Sequence, residues 1–144
     1  MKYSVIAESY EKIEATTKRL EMTDYLVELL KKTPIDIIDK GVYLTQGKLY
    51  PDFTGIEMGV AEKLALRAVA KATGYTEKQI AGDLKETGDL GITTQRFLTK
   101  KAQAVLFKEP LTVRKVYEQL DKMAKASGSG SMDQKIDILA GLLG

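Results

Sequence analysis

The segment SGSGSMDQK, residues 127–135, contains residue types that bind a phosphate group. Glycine and serine let a backbone approach a ligand closely, and a helix that begins at Ser131 points free N–H groups and its positive dipole end outward. Ser129, Ser131 and Lys135 offer further hydrogen-bond donors. Ser131 and Gln134 have the spacing of a capping box, which indicates an ordered junction. Composition alone nevertheless favours a plain Gly–Ser linker, or an artificial junction, over a phosphate site.

The residue types present exclude several kinds of chemistry. The chain has neither Cys nor His, so disulfides, thiolate or imidazole metal ligands, cysteine nucleophiles and a histidine general base are all ruled out. It contains no G-x-x-x-x-G-K-[ST] phosphate loop. The segment 83–89 resembles the start of a calcium loop, but Lys85 stands at the third position, which needs an oxygen ligand, and Thr94 replaces the glutamate of the twelfth position. We therefore predict no metal site and no catalytic residue, and a self-contained enzyme is the least favoured class.

The charge of the chain is concentrated in one segment. The 144 residues include 22 Lys/Arg and 20 Asp/Glu, which gives a net charge of +2. Residues 96–125 contain 8 of the basic and 3 of the acidic residues, a difference of +5. A basic block in a nearly neutral chain is typical of a surface that binds a polyanion. A lysine-rich helix face that is simply solvated explains the same charge equally well.

An apolar cluster, Val105, Leu106 and Phe107, lies between lysines and just before Pro110. Proline prevents a regular helix there, so the cluster belongs to a connecting segment. One interpretation buries the three side chains as a small satellite of the core. The other is a short linear motif, in which Gln103 makes polar contacts and the apolar pair fills a pocket on a partner protein. The residues alone leave both interpretations open.

Apolar residues recur at intervals of three and four along most of the chain, which predicts an all-α, compact multi-helix domain over residues 1–144. Thr23, and Thr33 followed by Pro34, are expected to start the second and third helices, and Gly74 to end the fourth. The first helix is expected to place Leu20 on its apolar stripe. The predicted helices cover roughly residues 3–20, 23–32, 34–45, 59–73, 77–86, 92–102, 112–126 and 132–143.

No run of apolar residues approaches the 18 or more that span a membrane, and the N-terminus lacks the pattern of a secretory signal. We therefore expect no membrane partner. The last predicted helix has Ile136, Leu139, Ala140 and Leu143 on one face, with Ile138 and Leu142 on the opposite face. A terminal helix of this kind is expected to need neighbours on both sides, which predicts that the chain is a fragment of a longer protein.

Two segments together resemble one protein family. TGDLGITTQRF, residues 87–97, is followed by PLTVRKVYEQLDKMAKASGSGSMDQKIDILAGLL, residues 110–143. Their order and spacing are similar to the N-terminal DNA-binding domain of ATP-dependent DNA ligases of the archaeal and eukaryotic replicative type. YSVIAESYEKIEATTKRLEMTDYLVELL, residues 3–30, and LYPDFTGIEMGVAEKLALRAVAKATG, residues 49–74, resemble the first helices of that domain, particularly in archaeal members.

The resemblance implies a helical domain that grips duplex DNA across the minor groove, next to a nick. In the parent ligase, a nucleotidyltransferase domain and an OB-fold domain follow, and the parent is expected to use ATP and Mg²⁺. The family's adenylated lysine lies in a K-x-D-G motif, and no such motif occurs in this chain. The chain is therefore expected to hold no cofactor, to be inactive alone, and to be the truncated first part of the domain.

The resemblance also selects site residues. The Gly–Ser segment aligns with a family loop that leads into a helix, and the segment before PLT resembles a shortened sliding-clamp-binding motif of the form Q-x-x-hydrophobic-aromatic. Many family members have two aromatic residues there, so a leucine in the first place is expected to weaken clamp binding. The expected phosphate contacts are Ser129, Gly130, Ser131 and Lys135. Further DNA-binding candidates, chosen from local charge, are Arg96, Lys100 and Lys101. The clamp-binding candidates are Gln103, Leu106 and Phe107.

The favoured hypothesis is therefore a non-catalytic module of a DNA ligase that acts in DNA replication, repair and recombination. It is expected to bind nicked duplex DNA, the sliding clamp and the remaining ligase domains. If the source is archaeal, the expected location is the cytoplasm, in association with the nucleoid. The alternative hypothesis, from a different class, is a protein-interaction adaptor that binds only the sliding clamp.

Overall fold

The computed structural model describes residues 1–50, 54, 61–102 and 110–143, with the backbone alone for residues 101 and 102. Within this part of the chain there are eight α-helices, one 3₁₀ turn at Ile35–Ile37 and no β-strand, which confirms the all-α prediction. The helices are α1 (Tyr3–Glu14), α2 (Arg19–Lys32), α3 (Ile38–Thr45), α4 (Glu62–Thr73), α5 (Glu77–Thr87), α6 (Leu90–Ala102), α7 (Val113–Lys125) and α8 (Ser131–Leu143).

The chain divides into two compact units. The first comprises Met1–Glu57 with Pro110–Glu118, and the second comprises Met58–Glu109 with Gln119–Gly144. The first unit therefore contains α1, α2, α3 and the start of α7. The second contains α4, α5, α6, the end of α7 and α8. Among the described helices, none is long and apolar enough to cross a lipid bilayer.

The core of the first unit joins residues that are far apart in sequence. Ile6 of α1, Leu29 of α2, Ile37 and Val113 are all buried in one cluster. Burying an aliphatic side chain of this size contributes about 1.5–3 kcal/mol relative to leaving it exposed. The chain ends of the unit are also joined by backbone pairing, because Val113 N–H donates to the Met1 carbonyl at 2.9 Å.

The boundary between α1 and α2 differs from the predicted one. The first helix ends at Glu14 rather than near residue 20, and the second begins at Arg19 rather than at residue 23. The chain turns because Lys18 N–H donates to the Thr16 hydroxyl, which in turn donates to the Glu21 carboxylate. Side-chain hydrogen bonds of this kind compete with a helical backbone. The apolar spacing continues through the turn, and for that reason the sequence pattern did not show it.

Thr23 and Leu20 therefore have positions other than those expected. Thr23 lies inside α2, where its hydroxyl donates to the Arg19 carbonyl at 3.0 Å instead of capping the helix. Leu20 is 82% exposed and is not part of a core stripe. Both residues are exposed on the first turns of α2, which begins four residues before the predicted start.

The predicted helix 34–45 is also corrected by the structure. Thr33 ends α2 instead of capping the next helix, and its buried hydroxyl donates to the Leu29 carbonyl at 2.7 Å. Pro34 is extended, and the 3₁₀ turn separates it from α3. A hydroxyl that is buried needs a hydrogen-bond partner, and the carbonyl one turn back in the preceding helix is the nearest acceptor.

Helix α4 is central to the second unit, where it packs against α5, α6 and α8. Its Leu64 and Ala68 form one buried cluster with Ile136 of α8, and its Val69 forms another with Ile80 and Phe97. The Ala-rich sequence of α4 suits this position, because small side chains allow several helices to approach closely. Leu139 and Leu143 of α8 pack at the edges of the same two clusters.

Two predicted helix ends of the second unit are confirmed. Gly74 ends α4 with a φ of +79°, a left-handed conformation that glycine adopts without strain. Helix α5 begins at the predicted residue 77, where Thr76 and Gln79 form a capping box. Helix α6 begins two residues earlier than predicted, because the Asp89 carboxylate accepts the Ile92 N–H and caps it.

The apolar residues of α8 are buried in a different way from the one expected, which was a neighbour on each of two opposite faces. The apolar pattern predicts Leu142 on the face opposite the core, yet Leu142 is buried, as are Ile136 and Ala140. At about 100° per residue, Leu142 lies only about 60° from Leu139, so it extends the same buried arc. Ile138 lines an open groove beside α7. The burial of Leu142 therefore requires no additional neighbour.

Candidate nucleic-acid interface at the α7–α8 junction

The Gly–Ser segment forms the junction between α7 and α8. Gly128 and Gly130 have φ values of +85° and +80°, in the left-handed region that favours glycine over other residues. A Cβ atom added to either glycine would meet nothing within 4 Å, so the backbone conformation, and not crowding, requires glycine here. Gly128, Ser129 and Gly130 are all exposed. The backbone of the junction is therefore accessible to a ligand.

The hydrogen bonds at the start of α8 show which backbone N–H groups are available to a ligand. The Gly130 carbonyl accepts the Gln134 N–H at 3.1 Å, so Gly130 immediately precedes the helix and Ser131 is its first residue. The predicted capping box of Ser131 with Gln134 is therefore wrong. Ser131 N–H donates to the Gly128 carbonyl at 3.2 Å. The next two N–H groups, of Met132 and Asp133, lie in the first turn, where a helix provides no internal acceptor.

The charges around the helix start act in opposite directions. The positive end of the α8 dipole and the half-buried Lys135 attract an anion. Asp133 lies in the first turn of the helix, where its carboxylate is stabilised by the same dipole and competes with an incoming phosphate. A phosphate at this position therefore depends on basic side chains that outweigh Asp133.

Some of that basic charge comes from the end of α7. A groove of about 470 Å³ runs between the last turn of α7 and the first half of α8. Its two carboxylates are both paired, Asp121 with Lys125 at 3.1 Å and Asp137 with Lys71 of α4. Lys122 forms no ion pair with any described residue. The groove is lined by Asp121, Lys122, Lys125, Ala126, Ser127, Gln134, Asp137 and Ile138.

Lys122 and Ser127 are candidate contacts that the sequence analysis did not select. The sequence feature that could have identified Lys122 is its spacing from Lys125. The two lysines are three residues apart and so project from one side of the last turn of α7. The structure adds that this side faces the groove beside α8.

The further DNA-binding candidates are engaged with their own unit. Arg96 donates to the Asp83 carboxylate at 3.2 Å, and the Lys100 ammonium lies 5.0 Å from the centre of the Phe97 ring. Among the described residues, no hydrogen bond or ion pair joins either cation to the α7–α8 junction. The side chain of Lys101 is outside the described residues, as are the clamp-binding candidates Gln103, Leu106 and Phe107.

Comparison with known proteins decides the family. The model of the family described as "DNA ligase N terminus" matches residues 2–144, which is nearly the whole chain. The chain belongs to this family. The match confirms the resemblance that the two segments and the Gly–Ser junction indicate in the sequence.

Individual relatives of this DNA ligase N-terminus chain are archaeal. It is 50% identical over 143 residues to "DNA ligase" of Nitrosopumilus maritimus, and 51% identical over 148 residues to "DNA ligase 2" of Thermofilum pendens. The alignments cover 99% and 98% of this chain, but only 24% and 25% of those two relatives. A relative from Thermococcus onnurineus, also named "DNA ligase", is 42% identical. The chain thus spans about a quarter of the length of these curated relatives.

Proposed function

We propose that this chain is the non-catalytic, DNA-gripping N-terminal part of an archaeal-type ATP-dependent DNA ligase. Its partner is duplex DNA that contains a nick, held by the sugar–phosphate backbone and the minor groove. The observation that carries the proposal is the exposed α7–α8 junction, with two left-handed glycines in front of a helix and lysines on both sides of it. This arrangement occurs in a chain of the DNA ligase N-terminus family.

The mechanism follows from the chemistry of the junction. The backbone at Gly130 and the first turn of α8 receive a phosphate oxygen, and Ser129 and Ser131 donate to it. Lys122 and Lys135 supply the positive charge that outweighs Asp133. Such contacts give affinity and orientation without sequence preference, because every nucleotide offers the same phosphate. The width of the minor groove adds recognition of shape.

The bond-forming chemistry belongs to other parts of the ligase. Adenylation requires a lysine in a K-x-D-G motif, and the sequence contains no such motif. A Mg²⁺ site requires several oxygen ligands, and the described residues contain no cluster of three or more suitable side chains. Among the described residues, the side chains present therefore do not fit a Mg²⁺ ion. In our proposal, ATP and Mg²⁺ are both held by domains outside these 144 residues.

Contact with the sliding clamp is an extension of the same proposal. It is supported by the sequence pattern of Gln103, Leu106 and Phe107. A clamp that already encircles DNA keeps the ligase close to its substrate, and the DNA contact then becomes an intramolecular step. The alternative, an adaptor that binds the clamp alone, has the same pattern as support but gives no role to the α7–α8 junction.

A titration of nicked duplex DNA at several salt concentrations tests the proposal. The 144-residue chain is expected to bind, and log K is expected to fall linearly with log salt by about 0.9 for each phosphate contacted. Duplexes of different sequence are expected to give the same slope. The absence of binding at low salt, or a slope near zero, would contradict the DNA-gripping role and leave the clamp adaptor.

A further inference from the structure

Helix α2 has apolar side chains on two opposite faces. Leu29 is buried in the core of the first unit, with 3% of its surface exposed. Leu20 is 82% exposed, and Val27 and Leu30 are each 42% exposed. At about 100° per residue, Leu20 lies on the side of the helix opposite Leu29. The outer face of α2 is therefore an apolar surface that its own unit does not cover.

The outer residues have a regular spacing. Leu20, Thr23, Val27 and Leu30 follow one another at intervals of three, four and three residues, within an arc of about 80°. The Thr23 hydroxyl donates to the Arg19 carbonyl inside the helix, so this polar group needs no partner outside it. A narrow apolar line with this repeat is the seam along which two helices pack. We name these four residues the α2 stripe.

The charges along α2 argue against DNA as the occupant. The helix has three acidic residues, Glu21, Asp24 and Glu28, and three basic residues at its two ends. Asp24 and Glu28 lie beside the middle of the α2 stripe. Phosphates would therefore meet negative charge and an apolar surface together, which offers them no net attraction. The chemistry of the stripe fits a protein helix.

We propose that the α2 stripe binds a helix of the ligase polypeptide outside these 144 residues. This inference rests on the proposed function. The alignments leave about three quarters of each archaeal relative outside the matched segment, so a large part of a ligase is available as the occupant. A covalently connected partner has an effective concentration of about millimolar, and a small stripe then suffices.

A second copy of the chain is disfavoured by size. A stable protein interface buries about 800 Å² on each partner and involves roughly 20–30 residues a side. The α2 stripe offers four side chains over less than four helical turns. A contact of this extent is too small for an independent dimer but is sufficient for an intramolecular contact.

Thiol labelling gives a direct test, because the 144 residues contain no cysteine. Leu20→Cys and Val27→Cys are made in the chain alone and in the full-length ligase that contains it, and the rate of alkylation at each position is read from the modified peptide. Ile92→Cys, at a residue that is 46% exposed in the second unit, is the matched control. No DNA is present.

The two positions of the stripe are expected to react about tenfold more slowly in the full-length ligase, which corresponds to a stripe covered about nine-tenths of the time. The control position is expected to change less than about twofold. Equal rates in both proteins at positions 20 and 27 would overturn the inference. So would protection in the chain alone that increases with its concentration, which would identify a second copy, or protection by added nicked duplex.

DNA titration of the same variants separates this inference from the proposed function. Leu20→Cys and Val27→Cys are expected to bind nicked DNA like the unmodified chain, since the stripe is outside the α7–α8 junction. If the chain fails to bind DNA at low salt while position 20 is still protected in the full-length ligase, the DNA-gripping role is wrong and the α2 stripe stands. If DNA binding is normal and the protection is absent, only the stripe is wrong.

Discussion

Lys71 of α4 and Asp137 of α8 form an ion pair, although each side chain is more than half exposed. An exposed pair of this kind adds at most about 1 kcal/mol to stability. Its larger effect is on the surface potential, because Asp137 is two residues from Lys135 and lines the groove beside the α7–α8 junction. The pair offsets a negative charge at the place where we propose that a phosphate binds.

The first prediction concerns how the charges of Asp137 and Lys71 change the affinity for DNA. Asp137→Asn should tighten the binding of nicked duplex DNA by about two- to fivefold, because it removes a repulsive charge from the groove. Lys71→Gln should weaken binding by a similar factor, since it leaves Asp137 uncompensated. Fluorescence anisotropy at fixed low salt measures both. Glu11→Gln, an exposed acidic residue of the first unit, serves as control, and equal tightening there would show a general charge effect instead.

The second prediction assigns individual cations to the DNA contact. Lys122→Gln and Lys135→Gln should each reduce the slope of log K against log salt by about 1, and weaken binding to all sequences alike. Lys12→Gln, which removes an equivalent exposed charge from α1, should leave the slope unchanged. A loss of affinity for only some DNA sequences would contradict contact with the backbone. Unchanged slopes for both groove variants would remove the junction from the interface.

The third prediction tests the left-handed backbone at the junction. Gly130→Ala should destabilise the protein by about 1 kcal/mol, because alanine is strained at a φ of +80° even though space for its methyl group is available. Gly141→Ala, in the last turn of α8, should instead stabilise the protein by about 0.5–1 kcal/mol. Urea denaturation measures both. Equal effects of the two substitutions would show that the conformation at Gly130 is not fixed in solution.

The fourth prediction separates a structural role of Arg96 from a role in DNA binding. Asp83 is only 20% exposed, and one of its carboxylate oxygens is buried without a hydrogen bond from the described residues. Arg96→Met should therefore cost about 1 kcal/mol of stability, because it leaves this carboxylate uncompensated. Adding Asp83→Asn should recover most of the loss. If Arg96→Met weakens DNA binding while the free energy of unfolding is unchanged, Arg96 is a direct DNA contact.

The fifth prediction concerns the clamp. Phe107→Ala should reduce the binding of an archaeal sliding clamp by at least about tenfold, since truncation of an aromatic anchor typically costs 2 kcal/mol or more. DNA affinity should be unaffected by this substitution. Lys108→Ala, at the neighbouring residue, is the matched control. A clamp pull-down in which Phe107→Ala retains as much clamp as the unsubstituted chain would remove the motif interpretation.

Much of the fold was determined by local sequence. The apolar intervals of three and four identified the helices, and Gly74 and the pair Thr76–Gln79 fixed two of their ends, because left-handed caps and capping boxes depend only on adjacent residues. The candidate junction at residues 127–135 was visible for the same reason. Its glycines, serines and lysine are consecutive in the chain and need no folding to be brought together.

The tertiary structure decided which hydrogen-bond acceptor each threonine hydroxyl uses and which apolar side chains have a packing neighbour, because in both cases several partners compete. Thr16, Thr23 and Thr33 all resemble helix caps in sequence, and only the packed chain shows which carbonyl or carboxylate each hydroxyl bonds. Local spacing also does not determine whether an apolar residue has a neighbour: Leu142 is buried and Leu20 is exposed, contrary to both expectations. Burial depends on which other helix packs there, and ion pairs such as Lys71 with Asp137 join residues that the sequence separates by more than sixty positions.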